Sequence, residues 1–150
     1  DFIFGGAAAW FEDCDIVSID GLRDHGDRKE PALGFCTAAS TPEGQEFGYV
    51  FMKCRFQGEG VPDGAIYLGR PWREFAKTVL LHCELGAHIH PEGWHDWNKP
   101  CFPATGYYAE FASTGAGSQG QRAAYVHQLT AEEAEKYTFE RFWGSISPEG

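Results

Sequence analysis

Long apolar runs and basic residues are both scarce in this sequence. No apolar run reaches the roughly 18 residues that a membrane-spanning helix needs. Lysine and arginine together number 12, against 22 aspartate and glutamate residues, and the net charge is −10 at pH 7. An acidic surface repels phosphate backbones and anionic lipid head groups. Nucleic acids and membranes are therefore not expected as partners.

Cysteine pairs with metal-ligand spacing are also missing. The five cysteines are an odd number and include no Cys-x-x-Cys pair, so neither a closed disulfide framework nor a zinc knuckle is indicated. One cluster of possible zinc ligands consists of His82, Cys83, His88, His90 and His95, but its spacing matches no zinc site. We interpret these histidines as loop residues with local hydrogen bonds, and we predict no metal site and no cofactor.

Glycine and proline, by contrast, are abundant, with 19 and 8 residues. The apolar segments between them are short and rich in valine, isoleucine, phenylalanine and tyrosine, which favours many strands joined by turns. The expected class is all-β, in one domain or part of one. The sequence has neither a secretory leader nor an initiating methionine. In Asp1–Phe4 the side chains alternate between two faces, as in the middle of a strand.

One pattern of apolar residue, cysteine and apolar residue occurs three times. A strand repeated with loops of variable length is typical of a parallel β-helix, in which each coil stacks on the last. The cysteines would form an inward ladder of small side chains and remain free thiols. The three copies are Phe11-x-x-Cys14-x-Ile16, Phe51-x-x-Cys54-x-Phe56 and Leu80-x-x-Cys83-x-Leu85.

Loops and one helix are predicted around these strands. Glycine, proline and charge mark Gly21–Pro31 and residues 41–45 and 57–64 as loops, and residues 86–103 as a long excursion over one face. Gly115-x-Gly117-x-x-Gly120 lacks the strand and helix of a dinucleotide site and is interpreted as a turn. Thr130 has capping-box spacing to Glu133, which predicts a short helix to about residue 137 that covers the end of the stack.

The stretch from Ala65 to Trp72 ends by presenting a guanidinium and an indole. Ile66, Leu68, Arg70 and Trp72 share parity, so an extended backbone would bring the last two to one face. An arginine fork can hold a carboxylate through two hydrogen bonds, and an indole suits the apolar face of a sugar ring. The alternative is an arginine in a surface ion pair and a tryptophan in the core.

Spacing relates this stretch to the first residue. Asp1 lies 13 residues before Cys14, and Arg70 lies 13 residues before Cys83. Equivalent positions of stacked coils lie above one another, so Asp1 and Arg70 are predicted to pair, with Thr41 between them. A carboxylate held in this way suits a nucleophile better than an acid, although a structural ion pair is the alternative.

Three stretches stand out in order along the chain: Asp1-Phe2-Ile3-Phe4-Gly5, Leu68-Gly69-Arg70-Pro71-Trp72 and Pro91-Glu92-Gly93-Trp94-His95-Asp96-Trp97. They resemble the signature motifs of pectin methylesterases, and their residues are closer to the bacterial than to the plant members. The resemblance covers nearly the whole chain. It implies a right-handed parallel β-helix, of which residues 1–150 would be the C-terminal part, and hydrolysis of methyl galacturonate esters in pectin without metal or cofactor.

The resemblance also implies roles for individual residues. Asp1 resembles the nucleophile, Arg70 the residue that binds and orients it, and Trp72 a residue that stacks on substrate; Trp94 is expected to be a further subsite wall. Family members use a second aspartate as general acid and base and glutamines at the oxyanion, which would lie upstream of Asp1. A secreted monomer acting on methylated homogalacturonan is implied.

Two other functions remain open at this point. A non-catalytic polysaccharide-binding β-solenoid would keep the aromatic cleft, but sugar stacking needs neither Asp1 nor Arg70. A purely structural solenoid would not need three tryptophans in loops, where exposed indoles are costly without a ligand. An esterase is therefore the favoured interpretation.

Overall fold

The computed structural model describes residues 1–19 and 34–147. Short strands joined by turns dominate them, as the composition predicted, while the predicted loop Gly21–Pro31 lies outside the described residues. The strands are β1 Ile3–Gly5, β2 Ala9–Glu12, β3 Asp15–Ile19, β4 Gly34–Ala39, β5 Tyr49–Met52, β6 Arg55–Glu59, β7 Ile66–Gly69, β8 Lys77–Leu81, β9 Glu84–Leu85, β10 Tyr107–Phe111 and β11 Val126–Gln128.

These strands form three parallel sheets. The strand orders are β1-β4-β7, β2-β5-β8-β10-β11 and β3-β6-β9. Within each sheet, neighbouring strands run parallel. The chain thus visits each sheet in turn and then returns one strand spacing further along. This arrangement is a parallel β-helix, and the predicted fold is confirmed.

The repeated cysteine pattern marks equivalent positions of successive coils. Phe11 pairs with Phe51, which pairs with Leu80. Cys54 Sγ donates to the Phe11 carbonyl and Cys83 Sγ to the Phe51 carbonyl, both at 3.4 Å. The cysteines are free, and the hydrogen bond with Cys54, together with burial, raises the pKa of the Cys83 thiol. The ladder is confirmed.

The excursion predicted for residues 86–103 begins later than expected. Ile89 and Trp94 form parallel bridges with Ile66 and Gly69 and so add another rung to the first sheet. Only the residues after Trp94 leave the stack, and they form a loop and helix α1, Phe102–Thr105, before β10. The loop after Trp94 therefore begins beside Gly69, at the end of β7.

Two further helices follow the last strand. Thr130 and Glu133 form the predicted capping box, but α2 ends after Ala131–Ala134. A second N-cap, Thr138, then starts α3, Phe139–Ile146, which the sequence analysis missed. None of the described helices is long and apolar enough to cross a membrane.

Helix α3 packs on the side of the stack. Phe142 contacts Trp10 and Phe47, with ring centroids 5.6 and 5.8 Å away. These rings belong to an apolar cluster with Val50 and Val79 on the outer face of the second sheet, separate from the cluster inside the coils. The predicted helix, α2, was expected to cover the end of the stack, but its Ala134 and the following Tyr137 pack against this same outer cluster, because the outward rings of the sheet provide an apolar surface there.

Candidate active site

Asp1 and Arg70 form an ion pair with two parallel hydrogen bonds. Arg70 Nε donates to Asp1 Oδ1 at 3.0 Å, and Arg70 Nη2 donates to Asp1 Oδ2 at 2.9 Å. The side chains are 24% and 25% exposed, so solvent and ligand still reach the pair. The structure therefore brings together the two residues that the spacing argument paired.

An aromatic ring, not Thr41, lies next to this pair. Phe35 presents its ring 3.9 Å from the Arg70 guanidinium carbon. Thr41 is buried and accepts a hydrogen bond from the backbone N–H of Lys77 at 3.0 Å. The prediction of Thr41 between Asp1 and Arg70 is wrong, because the connections between strands differ in length. Residues 40–48 separate β4 from β5, whereas only residues 6–8 separate β1 from β2. The same number of residues counted back from the cysteine therefore ends at different places in the two coils.

The register of the first sheet shows that Asp1 and Arg70 do not occupy equivalent positions of their coils, as the spacing argument assumed. Ile3 aligns with Thr37, and Thr37 aligns with Gly69. Asp1 precedes this row in the first coil and Arg70 follows it in the third, so the long arginine side chain reaches back along the sheet to the carboxylate.

The extended backbone that was assumed to run from β7 through Trp72 ends at Gly69, although Arg70 and Trp72 do meet on one side. Ile66 and Leu68 belong to the interior cluster, whereas Arg70 and Trp72 face the cleft beside Asp1. The strand ends at Gly69, and the Trp72 N–H then donates to the Ala39 carbonyl at 2.9 Å. Arginine and tryptophan reach the same cleft because the chain bends there, not because a strand continues.

Aromatic side chains wall a cleft of about 450 Å³ beside the ion pair. Trp72 is 37% exposed, and Phe4 packs edge-on against it with ring centroids 5.6 Å apart. Trp97 lies on Arg70, with 3.7 Å between the guanidinium carbon and the ring centroid. The lining comprises Asp1, Phe4, Ala38, Trp72 and Trp97.

Trp94 is not part of this cleft. It is fully buried, stacks on Tyr108 at 4.3 Å and donates its indole N–H to Glu110 at 3.2 Å. A Cβ on Gly69 would lie 3.1 Å from the Trp94 ring, so the absent side chain makes room for the indole. The prediction of Trp94 as a subsite wall is wrong, because its rung points it inward.

Trp97, three residues later, occupies the place that Trp94 was expected to fill. The sequence does contain a signal for this, because Trp97 stands between Asp96 and Asn98 and before a lysine, in a polar stretch. A tryptophan in such surroundings is more often at a surface than in a core.

A buried ionic cluster anchors the start of the Trp97 loop. Arg122 donates to both carboxylate oxygens of Glu110, at 2.7 and 3.1 Å, and these side chains are 8% and 2% exposed. Arg122 also donates to the Pro91 carbonyl at 3.1 Å, and Glu110 accepts the Trp94 indole N–H. Since a buried pair of this kind needs its remaining hydrogen-bonding groups satisfied, these contacts hold residues 91–94 against the stack.

The histidines do not form a metal centre among the described residues, where no three potential ligands of this kind converge. His90 stacks on Tyr67 at 4.3 Å, and His95 Nδ1 accepts the Trp97 N–H at 2.8 Å. His88 is buried, and burial lowers its pKa. His90 and His95 therefore pack beneath the cleft, against Tyr67 and the Trp97 backbone.

The chemistry available at this site follows from its groups. The Asp1 carboxylate is oriented by two hydrogen bonds and remains partly exposed, as a nucleophile must be. Indole and phenyl faces beside it suit an apolar ring face, and the guanidinium cannot release its proton. The fold and the site define a parallel β-helix protein with an aromatic cleft around a carboxylate–guanidinium pair.

Comparison with known proteins agrees with this class. Residues 1–145 match the family model described as Pectinesterase, and the chain belongs to the pectinesterase family. The chain is 36% identical to the pectinesterase/pectinesterase inhibitor U1 of Solanum lycopersicum, over 95% of this chain and 25% of that protein. It is also 36% identical to a pectinesterase of Aspergillus aculeatus, over 88% of this chain and 39% of that protein.

Solved structures give the same result. The pectin methylesterase from carrot superposes with a TM-score of 0.79 at 31% identity, over 99% of this chain and 47% of that one. The pectin methylesterase PemA from Erwinia chrysanthemi gives 0.75 at 30% identity, over 99% and 48%. The chain thus spans less than half the length of these relatives.

Proposed function

We propose that residues 1–150 are the C-terminal part of a pectinesterase β-helix domain that hydrolyses methyl esters of galacturonate units in pectin. The observation that carries this proposal is the two-bond ion pair of Asp1 and Arg70 in the aromatic cleft. The solved relatives support the substrate, because one of them is a pectin methylesterase in complex with a hexasaccharide.

The reaction begins with attack of the Asp1 carboxylate on the ester carbonyl. The carbon–oxygen bond to the methoxy group breaks, methanol leaves with a proton from a general acid, and an anhydride joins Asp1 to the galacturonate. Water then cleaves the anhydride, which restores the carboxylate and releases the free acid. Arg70 holds Asp1 in the attacking orientation through both carboxylate oxygens.

Additional chain must supply the general acid and the oxyanion donors. The cleft residues contributed by the described part of the chain include one carboxylate, Asp1, and that group is the nucleophile. Arg70 cannot protonate departing methoxide, because its guanidinium does not lose a proton in a protein. A second carboxyl group and amide donors are therefore placed in coils outside these residues.

The aromatic walls bind the polymer. Trp72 and Trp97 both line the space next to Asp1, so a sugar ring that stacks on an indole there can turn its ester to the carboxylate. We place the enzyme outside the cell, where a polysaccharide of this size is reached, and we expect it to act as a monomer without a cofactor.

Methanol release from methylated pectin tests this function in the full-length protein. Asp1→Asn should abolish release, because the amide is a far weaker nucleophile than the carboxylate. Asp15→Asn is the matched control, because Asp15 also pairs with an arginine, Arg55, but on an exposed surface away from the cleft. Substrate binding without methanol release by the unmodified protein would instead support a polysaccharide-binding solenoid.

A further inference from the structure

Lys99 contacts the backbone that follows β7, at Pro71 and Trp72, without belonging to any motif used so far. Its ammonium group donates to the carbonyls of Pro71 and Trp72, at 2.9 and 2.6 Å. These carbonyls follow the end of β7 at Gly69, where the sheet no longer supplies partners. A side chain from the Trp97 loop thus satisfies the backbone of the facing wall.

The same ammonium group also contacts the other wall of the cleft. Lys99 Nζ lies 4.9 Å from the centre of the Trp97 ring, and that ring lies on the Arg70 guanidinium at 3.7 Å. One side chain therefore links the Trp72 backbone, the Trp97 indole and, through it, the arginine that orients Asp1.

The backbone of this loop is held in a costly conformation. Trp97 and Asn98 both have left-handed φ values, 55° and 54°, which disfavour side chains other than glycine. The Asn98 N–H is satisfied by Asp96 Oδ1 at 2.8 Å, and the Lys99 N–H by the Asp96 carbonyl at 3.1 Å. Lys99 follows these two residues directly and contacts both walls of the cleft.

The ammonium group of Lys99 lies in surroundings that disfavour a positive charge. Burial and the nearby Arg73 lower the pKa of its ammonium group, so the position is expensive for a cation. The compensating partners are two carbonyl oxygens and an indole face, which are the groups that a cation binds well. An uncharged side chain would remove this donor from the Pro71 carbonyl and leave the Trp72 carbonyl with Arg73 Nη1 alone, at 3.2 Å.

We propose that Lys99 is a positioning residue that holds the Trp97 indole on Arg70 and fixes its distance from the Trp72 wall. It thereby sets the width of the sugar-binding cleft. This inference rests on the proposed function for the identity of the ligand, but the positioning of Trp97 is a property of the chain itself.

Kinetics of the full-length protein on methylated pectin test the consequence for substrate. Lys99→Met should raise KM about tenfold and lower kcat less than about threefold, because the cleft widens while Asp1 and Arg70 remain paired. Lys99→Arg should restore KM to within about threefold of the original, since a guanidinium can also donate to two carbonyls. Lys136→Met removes an exposed cation elsewhere and should change neither constant. An unchanged KM in Lys99→Met, or no recovery in Lys99→Arg, would overturn the proposal.

A second measurement does not depend on activity. In protein labelled with 5-fluorotryptophan, the ¹⁹F resonance of Trp97, identified by its loss in Trp97→Phe, should shift and broaden in Lys99→Met and stay in place in Lys136→Met. If the Trp97 resonance shifts in Lys99→Met but the unmodified full-length protein releases no methanol, the proposed function is wrong and the positioning role of Lys99 stands. A Trp97 resonance that does not move in a protein that releases methanol would refute the positioning role alone.

Discussion

The Arg70 guanidinium satisfies three neighbours at once. Its edge binds both oxygens of Asp1, and its faces lie near the rings of Phe35 and Trp97. Burial lowers its pKa from the ordinary arginine value, without removing its charge at neutral pH. A planar, delocalised cation meets all three demands, whereas a compact ammonium group meets only the demand for charge.

Replacing Arg70 by lysine separates charge from shape. We expect Arg70→Lys in the full-length protein to lower turnover by about two orders of magnitude, because the carboxylate loses its two-point orientation. The melting temperature should change little, since the pair is partly exposed. Methanol release and thermal unfolding are the measurements, and Arg55→Lys is the matched control. Turnover equal in the two variants would contradict the role given to Arg70.

The two tryptophans of the sequence prediction should respond in opposite ways. Trp72→Ala removes an exposed wall and should weaken binding of methylated oligogalacturonide by about 1–3 kcal/mol, with little effect on unfolding. Trp94→Ala empties a buried site and deprives Glu110 of a donor, so it should cost about 3–5 kcal/mol of unfolding free energy. Calorimetric titration and denaturant unfolding distinguish the two, and a Trp94 variant that loses only binding would restore the original prediction.

His88 should make stability depend on pH. It is 4% exposed, its Nε2 has no partner, and burial lowers its pKa below the ordinary histidine value of about 6.5. The unfolded chain therefore takes up the proton first, so this contribution to stability is present above pH 6.5 and is lost as pH falls through the folded-state pKa.

Denaturant unfolding between pH 7 and pH 5 measures this effect. His88→Gln should flatten the pH dependence, because the replaced side chain does not titrate in this range. His127→Gln, at an exposed position, serves as the control. Equal slopes for His88→Gln and the unmodified protein would show that another group is responsible.

At the scale of elements, one sharp turn is repeated in every coil. Left-handed residues with φ near 55° precede each ladder position: Asp13, Lys53, His82 and Ala112. Cysteine follows the first three and Ser113 follows the last. Its hydroxyl donates to Glu110 at 2.9 Å. The ladder position therefore requires a small side chain near the turn rather than a thiol as such.

Thiol reactivity should divide the cysteines by their element. Cys36, Cys54 and Cys83 are at most 2% exposed, and burial raises the pKa of Cys36 to about 11, so we expect these three to react only after unfolding. Cys101, which lies outside the ladder, is exposed and should react at once. Alkylation followed by peptide mass spectrometry reports each site, and rapid native labelling of Cys54 or Cys83 would contradict the ladder.

At the scale of the whole molecule, the site is expected to be divided between this chain and further coils. We predict that the isolated 150 residues release no methanol at a useful rate. Losing an oxyanion donor costs roughly a hundredfold to a thousandfold, and general acid catalysis is worth about as much. Methanol release is measured with the 150 residues alone and with the remaining half supplied. Robust release by the 150 residues alone would mean that Asp1 is not the nucleophile, or that a residue here provides the acid.

The sequence by itself determined the fold class. It also named Asp1 and Arg70 as partners, but the register of the first sheet offsets them along the strands, so the reach of the arginine side chain joins them rather than equivalent coil positions. Strand periodicity and the repeated cysteine are local patterns, and a coil that stacks on its like reproduces them at fixed positions. The capping box at Thr130 was readable for the same reason, because its hydrogen bonds join residues three apart.

Only the tertiary structure decided which aromatic side chains form the cleft. Trp94 and Trp97 stand three residues apart in one motif, yet a bridge to Gly69 turns the first inward, and two left-handed residues place the second on Arg70. Phe35 took the place expected for Thr41 because loop lengths differ between coils. These outcomes depend on register and on bends between residues distant in the chain, where local patterns carry no information.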